Sequence, residues 1–144
     1  MRTMMLALIA LGAMMVPGAA ETPTPAAGSP EVFWVFTLAI EPAQYGPLTE
    51  LVSQIVAAAE KEPGTLEYDW NIGADRKTLI VIERYADSQA LLQHGKDFGP
   101  FAKRFFTLAK PVSLVVFGTP DAEAKKAIAG LRPVYMTTFD GFSR

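Results

Sequence analysis

The alternation of apolar and polar positions divides the chain beyond residue 31 into short elements. Val32 to Ile40 (VFWVFTLAI) is rich in β-branched and aromatic residues and too short for a core helix, which predicts a buried strand. Pro42 and Gly46-Pro47 punctuate it. From Tyr45 to Glu62 the apolar residues Tyr45, Leu48, Leu51, Val52, Ile55, Val56 and Ala59 recur every three or four positions, predicting a helix with one apolar face that ends at Lys61-Glu62-Pro63-Gly64. Thr65 to Ile72 and Lys77 to Ala86 are strand-like runs about the spacer Gly73-Ala74-Asp75-Arg76, and so predict an antiparallel hairpin. Asp87 and Ser88 offer an N-cap to a helix carrying Ala90, Leu91, Leu92 and His94, which Gly95 is expected to interrupt. After Gly99-Pro100 a second helical piece places Phe98, Phe101, Ala102, Phe105, Leu108 and Ala109 on one stripe. Val112 to Gly118 predicts another strand, Pro120 to Ala129 a short helix, and Val134 to Phe139 a last strand.

The order strand, helix, strand, strand, helix, strand is the split βαβ, or ferredoxin-like, α+β arrangement, with helices on one face of an antiparallel sheet. The strands are too apolar to leave the other face in water. Two sheets are therefore expected to pack together as a dimeric α/β barrel, with the extra C-terminal strand crossing to an open edge of the partner.

Half of the 144 residues are hydrophobic, but the surplus is concentrated before this domain. Met1-Arg2-Thr3 forms a short positive region, Met4 to Val16 an apolar run broken only by Gly12, and Pro17-Gly18-Ala19-Ala20 a small-residue cleavage site. As a helix the apolar run would rise only about 20 Å, short of a roughly 30 Å hydrocarbon core. The expectation is a signal peptide over residues 1–20, a flexible Pro-rich leader over 21–30 and a folded domain over 31–144. The mature protein would then be exported, periplasmic or secreted, with no stable membrane anchor. A net charge of −2 gives no reason to expect nucleic acid as a partner. With no Cys and one His, the chain offers no disulfide framework, no Cys nucleophile and no usual zinc or non-haem iron site.

Strand alternation puts Leu66, Tyr68 and Trp70 on one face of the hairpin, with Leu79, Val81, Glu83 and Tyr85 sharing that face across the turn. If helices cover it, His94 reaches the same space from above. The result is an aromatic cavity edged by one imidazole, one carboxylate and two phenols.

The residues Pro63-Gly64-Thr65-Leu66-Glu67-Tyr68, Glu83-Arg84-Tyr85-Ala86-Asp87 and Ala90 followed by His94 resemble the antibiotic biosynthesis monooxygenase domain family, which includes the quinol monooxygenases. The tail from Gly130-Leu131-Arg132-Pro133 to Gly141-Phe142-Ser143-Arg144 is similar to tails common there. The resemblance spans about residues 31–144. It implies a dimeric α/β barrel and oxidation of electron-rich phenols or quinols by molecular oxygen, with no cofactor. The chemistry is physically simple: a quinol anion can pass an electron to oxygen once a base has taken its proton and bulk water is excluded. On this reading His94 is the base, Tyr85 donates a hydrogen bond to a substrate oxygen, and Glu83 orients His94 or a substrate hydroxyl. Tyr68 and Trp70 stack on the ring, with Phe98 and Phe101 as further substrate-binding walls.

Plainer readings stand beside these. His94 could be a hydrogen-bonded core or surface residue, and Tyr68, Trp70, Tyr85 and the Phe98, Phe101, Phe105 stripe could be core packing. Glu83 could pair with Arg84 or Lys77 across the hairpin. Two other functions use the same pocket: non-catalytic binding of a hydrophobic aromatic ligand, and haem binding with oxidative ring cleavage. Haem-degrading relatives carry an Asn on the first strand, and Val32 to Ile40 has none.

Overall fold

The computed structural model describes residues 30–141, so the expected signal peptide and residues 21–29 of the leader lie outside the described residues. Strand β1 (Val32–Ile40) leads through a 3-10 turn at Pro42–Gln44 into helix α1 (Tyr45–Ala59). The hairpin β2 (Thr65–Ile72) and β3 (Thr78–Tyr85) follows, then α2 (Ser88–Leu108), β4 (Ala109–Gly118), α3 (Ala122–Ile128) and β5 (Val134–Met136). The strands form one sheet in the order β2-β3-β1-β4-β5. All neighbours are antiparallel except β4 and β5, which run parallel. This is the expected ferredoxin-like α+β arrangement.

Period-two alternation decides which side of each strand is covered. On β1, Val32, Trp34, Phe36, Leu38 and Ile40 are buried beneath the helices, while Phe33, Val35 and Thr37 point to the opposite face. In the observed register Tyr68 faces Glu83, Trp70 faces Val81 and Ile72 faces Leu79, so the expected hairpin face is correct for these residues. Leu66 departs from it. A bulge between Thr65 and Glu67 shifts the register there, and Leu66 is left 44% exposed.

Helix α2 corrects a second expectation, because it runs unbroken through Gly95, Gly99 and Pro100. An interior proline costs about 3 kcal/mol and each glycine about 1 kcal/mol relative to alanine. Buried Leu91 and Phe105 and the part-buried Phe98 lie on one stripe of the continuous helix. At roughly 1.5–3 kcal/mol for each large apolar side chain fully buried, such a stripe is of the size needed to offset those penalties. Asp87 caps the helix as expected, its Oδ1 accepting from the Ala90 N–H at 2.8 Å. Asp121 does the same for α3 through Ala124.

The C-terminal strand is shorter than expected, and it pairs with β4 of its own chain instead of being left to cross to a partner. The α3 crossover brings it back beside β4 as the fifth strand. Among the described residues, the face away from the helices presents Phe33, Val35, Ile80, Ile82, Val115 and Phe117, flanked by the exposed Val134 and Met136.

Candidate active site

Between the sheet and α2 lies a cavity of about 350 Å³. Its floor is Trp34, Phe36 and Val81 from the inner strands, with Tyr68 and Trp70 from β2. Phe98, Phe105 and Phe106 of α2 form one wall, and Ile128 and Leu131 close it from the α3 side. Aromatic edges lock the wall: Trp70 meets Phe105 edge-on at 5.6 Å, and Phe98 meets Phe105 at 5.5 Å. Glu83 and His94 give this mainly apolar space its acid–base corner.

That corner is a chain of buried acid–base groups. His94 Nδ1 lies 2.9 Å from Glu62 Oε2, and His94 Nε2 lies 3.4 Å from Glu83 Oε2. Tyr85 donates its hydroxyl hydrogen to Glu83, and Thr65 donates to Glu62 at 2.6 Å. The contact of Nδ1 with Glu62 fixes the imidazole in orientation and turns Nε2 toward Glu83. Burial is the main cause that holds the Glu83 carboxyl above its ordinary range, offset in part by His94 and by the Tyr85 hydrogen bond. The Trp34 indole also favours the charged form of Glu83, although its N–H falls short of hydrogen-bond geometry. Burial, then the negative field of Glu83 and Glu62, pushes the Tyr68 phenol far up and keeps it neutral. Tyr85 is raised in the same direction, by burial first and by Glu83 second.

The sequence-predicted residues are only partly brought together. His94, Glu83, Tyr68, Trp70 and Phe98 all line the cavity. Tyr85 does not. It is fully buried below the imidazole, with its ring 5.3 Å from His94 and its hydroxyl given to Glu83, so it cannot donate to a substrate oxygen as expected. Tyr68 is the phenol that faces the cavity, edge-on to His94 at 5.0 Å. Phe101 also departs from expectation: it borders a separate depression with Ala58, Pro63 and Pro100. Pairing of Glu83 with Arg84 or Lys77 is not what forms, since Arg84 points to the other face and bridges Glu31 and Glu67.

Glu62 is the residue that sequence reasoning missed. It sits just past α1, in the turn before β2, and is 9% exposed. What brings it to His94 is the close approach of that turn to α2: a Cβ on Gly64 would lie 2.4 Å from Ala90 Cβ. The Pro63-Gly64 step was the available signal for a tight approach, but which side chain the approach would carry inward is a tertiary matter.

No protein-family model matches the sequence, and no curated protein sequence matches it. Solved structures do. MupZ from Pseudomonas fluorescens superposes with a TM-score of 0.71 at 22% identity, covering 79% of this chain and 94% of that one. SnoaB from Streptomyces nogalater, described as a cofactor-independent oxygenase, gives 0.54 at 17% identity in a mutant form, over 64% of this chain and 95% of its own. A protein from Caulobacter crescentus provisionally named an antibiotic biosynthesis monooxygenase gives 0.53 at 23% identity, over 60% and 84%. The chain has the ferredoxin-like fold of the antibiotic biosynthesis monooxygenase-like proteins.

Proposed function

We propose that the protein is a cofactor-independent monooxygenase that oxidises a quinol or another electron-rich aromatic with molecular oxygen. The observation that carries the reading is the buried Glu83–His94–Glu62 set at the polar corner of an aromatic cavity. Glu83 and His94 take the proton of the bound hydroxyl, and the neutral Tyr68 hydroxyl is the donor available to a substrate oxygen. The quinol anion passes an electron to oxygen, the two radicals combine at a ring carbon, and loss of water leaves a hydroxyquinone. Quinol and O₂ thus become hydroxyquinone and water, one oxygen atom entering the ring and two quinol hydrogens leaving in the water. Low dielectric and exclusion of bulk water favour this course over release of reduced oxygen. Both ring nitrogens of His94 face carboxylates, which argues against its use as a haem ligand.

The test is oxygen uptake and product analysis with a panel of naphthoquinols under air, beside His94→Ala. Turnover above autoxidation, with one atom of labelled oxygen in the product, is the expected result. No turnover with any quinol would overturn the reading and leave a binding protein for an aromatic ligand.

The quaternary state and location belong to the same proposal. The apolar open face is of the kind that packs against a second sheet, so the working unit is a homodimer, tested by sedimentation at micromolar concentration. Export with cleavage after Ala20 is tested by the N-terminal residue of the mature protein, expected to be Glu21.

A further inference from the structure

Gly95 and Gly99 of α2 and Gly130, just after α3, line the cavity and are exposed to solvent at the same time, so they form its rim. None is required by local geometry. A Cβ at any of the three would meet nothing within 4 Å, and none of them has a positive φ. Two sit inside a helix, where glycine is the least favourable residue after proline. Ala102 and Ala127 continue the two edges, so the rim is built of small residues on both sides while the wall behind it is aromatic. The space behind the rim is furnished for a ligand. It contains the buried Glu83 and His94, and Trp34, 7% exposed, whose indole N–H acts on Glu83 but completes no hydrogen bond among the described residues.

We infer that Gly95, Gly99 and Gly130 hold open a slot that admits a flat aromatic ligand of about two fused rings edge-on, and that they set both its size limit and its rate of passage. Bare backbone on both edges leaves a gap that suits a ring's edge better than a branched chain. The volume of about 350 Å³ is at the small end of the roughly 300–1,000 Å³ found for ligand pockets. This inference rests on the reading of the cavity as the quinol site and names the shape of what that site takes.

The chain carries its own reporters, because its two Trp residues, Trp34 and Trp70, both line the cavity. Stopped-flow quenching of their fluorescence by 1,4-naphthoquinone, with 1,4-benzoquinone as the smaller probe, measures passage without turnover. Conjugate addition to a thiol cannot interfere, since there is no Cys. Gly99→Leu and Gly130→Leu are expected to slow both association and dissociation of naphthoquinone by about tenfold, within the range over which association rates vary among variants of one site, with Kd nearly unchanged. Benzoquinone should be slowed less. Gly95→Ala, which gains helix propensity, should raise the melting temperature, the result expected if glycine is not kept there for the stability of the helix. An unchanged or lower melting temperature would give Gly95 a structural role and remove it from the inference.

Wild-type rates in both leucine variants would overturn the inference and leave the oxygenase reading intact. A loss of affinity with association unchanged would overturn it too, placing the glycines against the bound ligand instead of at its passage. Slowed passage together with no turnover of any quinol would support the slot and overturn the oxygenase reading. Binding of neither quinone by the wild type would overturn both.

Discussion

Glu83 and Arg84 are neighbours on β3 that point to opposite faces of the sheet, and they meet opposite fates. Glu83 is buried among aromatic rings with its carboxyl pushed up by desolvation. Arg84, its side chain 41% exposed, spans the open face to Glu31 at 3.4 Å and Glu67 at 3.3 Å. Both faces around them are apolar, Trp34, Phe36 and Val81 on one side and Phe33, Ile80 and Ile82 on the other. What differs is the cover. Helices convert one apolar face into a dry cavity where a carboxylate is costly to keep charged and therefore chemically useful. The other face, uncovered in the single chain, leaves its charge partly exposed to water, where the ion pairs contribute little to the fold of the monomer.

The largest effect that separates the two faces is expected in turnover. His94→Ala should lower oxygenation of the best quinol by roughly 10²–10⁴-fold, the range of a lost general base, while no substitution of Arg84 should approach this. Measurement of kcat beside KM for the two variants checks it. Next in size is Phe105→Ala, which should cost about 3–5 kcal/mol in urea unfolding because it removes a buried ring that packs α2 on the sheet and enlarges the cavity behind it. On the open face Ile82→Lys should leave the monomer folded and instead abolish self-association, read as a monomer by sedimentation. Retention of the dimer in that variant would show that the open face is not the interface.

A smaller effect follows from the raised Glu83 carboxyl. In the unfolded chain it titrates near its ordinary value of 4.5, and in the fold its proton is held more tightly. The folded state therefore binds more protons in that interval. The contribution to stability is complete below 4.5 and is lost as pH rises through the folded value. Glu83→Gln should remove this loss: the variant should gain stability relative to wild type with rising pH, even as it loses turnover. Melting temperatures at several pH values test the sign. Smallest of all is Arg84→Gln, expected to change the stability of the monomeric Ile82→Lys background by only about 0–1 kcal/mol, as exposed ion pairs do.

The sequence revealed the strands more fully than it revealed the site. β1 and β2 have the bounds that alternation predicts, and Tyr68 and Trp70 share a face with Val81 and Glu83 because period two leaves no other choice. Depth was less legible. Tyr68 and Tyr85 are equivalent by alternation, but Tyr85, at the end of β3, is covered by the Trp34 and His94 rings and gives its hydroxyl to Glu83, whereas Tyr68 faces the cavity. The expected break in α2 failed because glycine and proline propensities are local, whereas burial of the Leu91, Phe98 and Phe105 stripe is not. The continuous helix in turn sets Phe101 about 60° round from Phe98, at roughly 100° per residue, and this carries it out of the cavity. Glu62 had no periodic signal at all, since it belongs to the turn that Gly64 draws against α2.

Strand β5 gives the architecture one further property. It is three residues long, all of them exposed, and its hydrogen bonds to β4 hold the far end of the segment that contains α3, Ala127 and Gly130. Short exposed ladders open locally at far less free energy than the core that surrounds β1. Amide protons of Val134 to Met136 will therefore exchange long before those of Trp34 to Leu38, because each such opening breaks only a three-residue ladder while the Glu83 and His94 side stays fixed. The pairing of the sheet's last strand is in this sense a local equilibrium, which substitutions near the C-terminus can tune without touching a residue of the cavity.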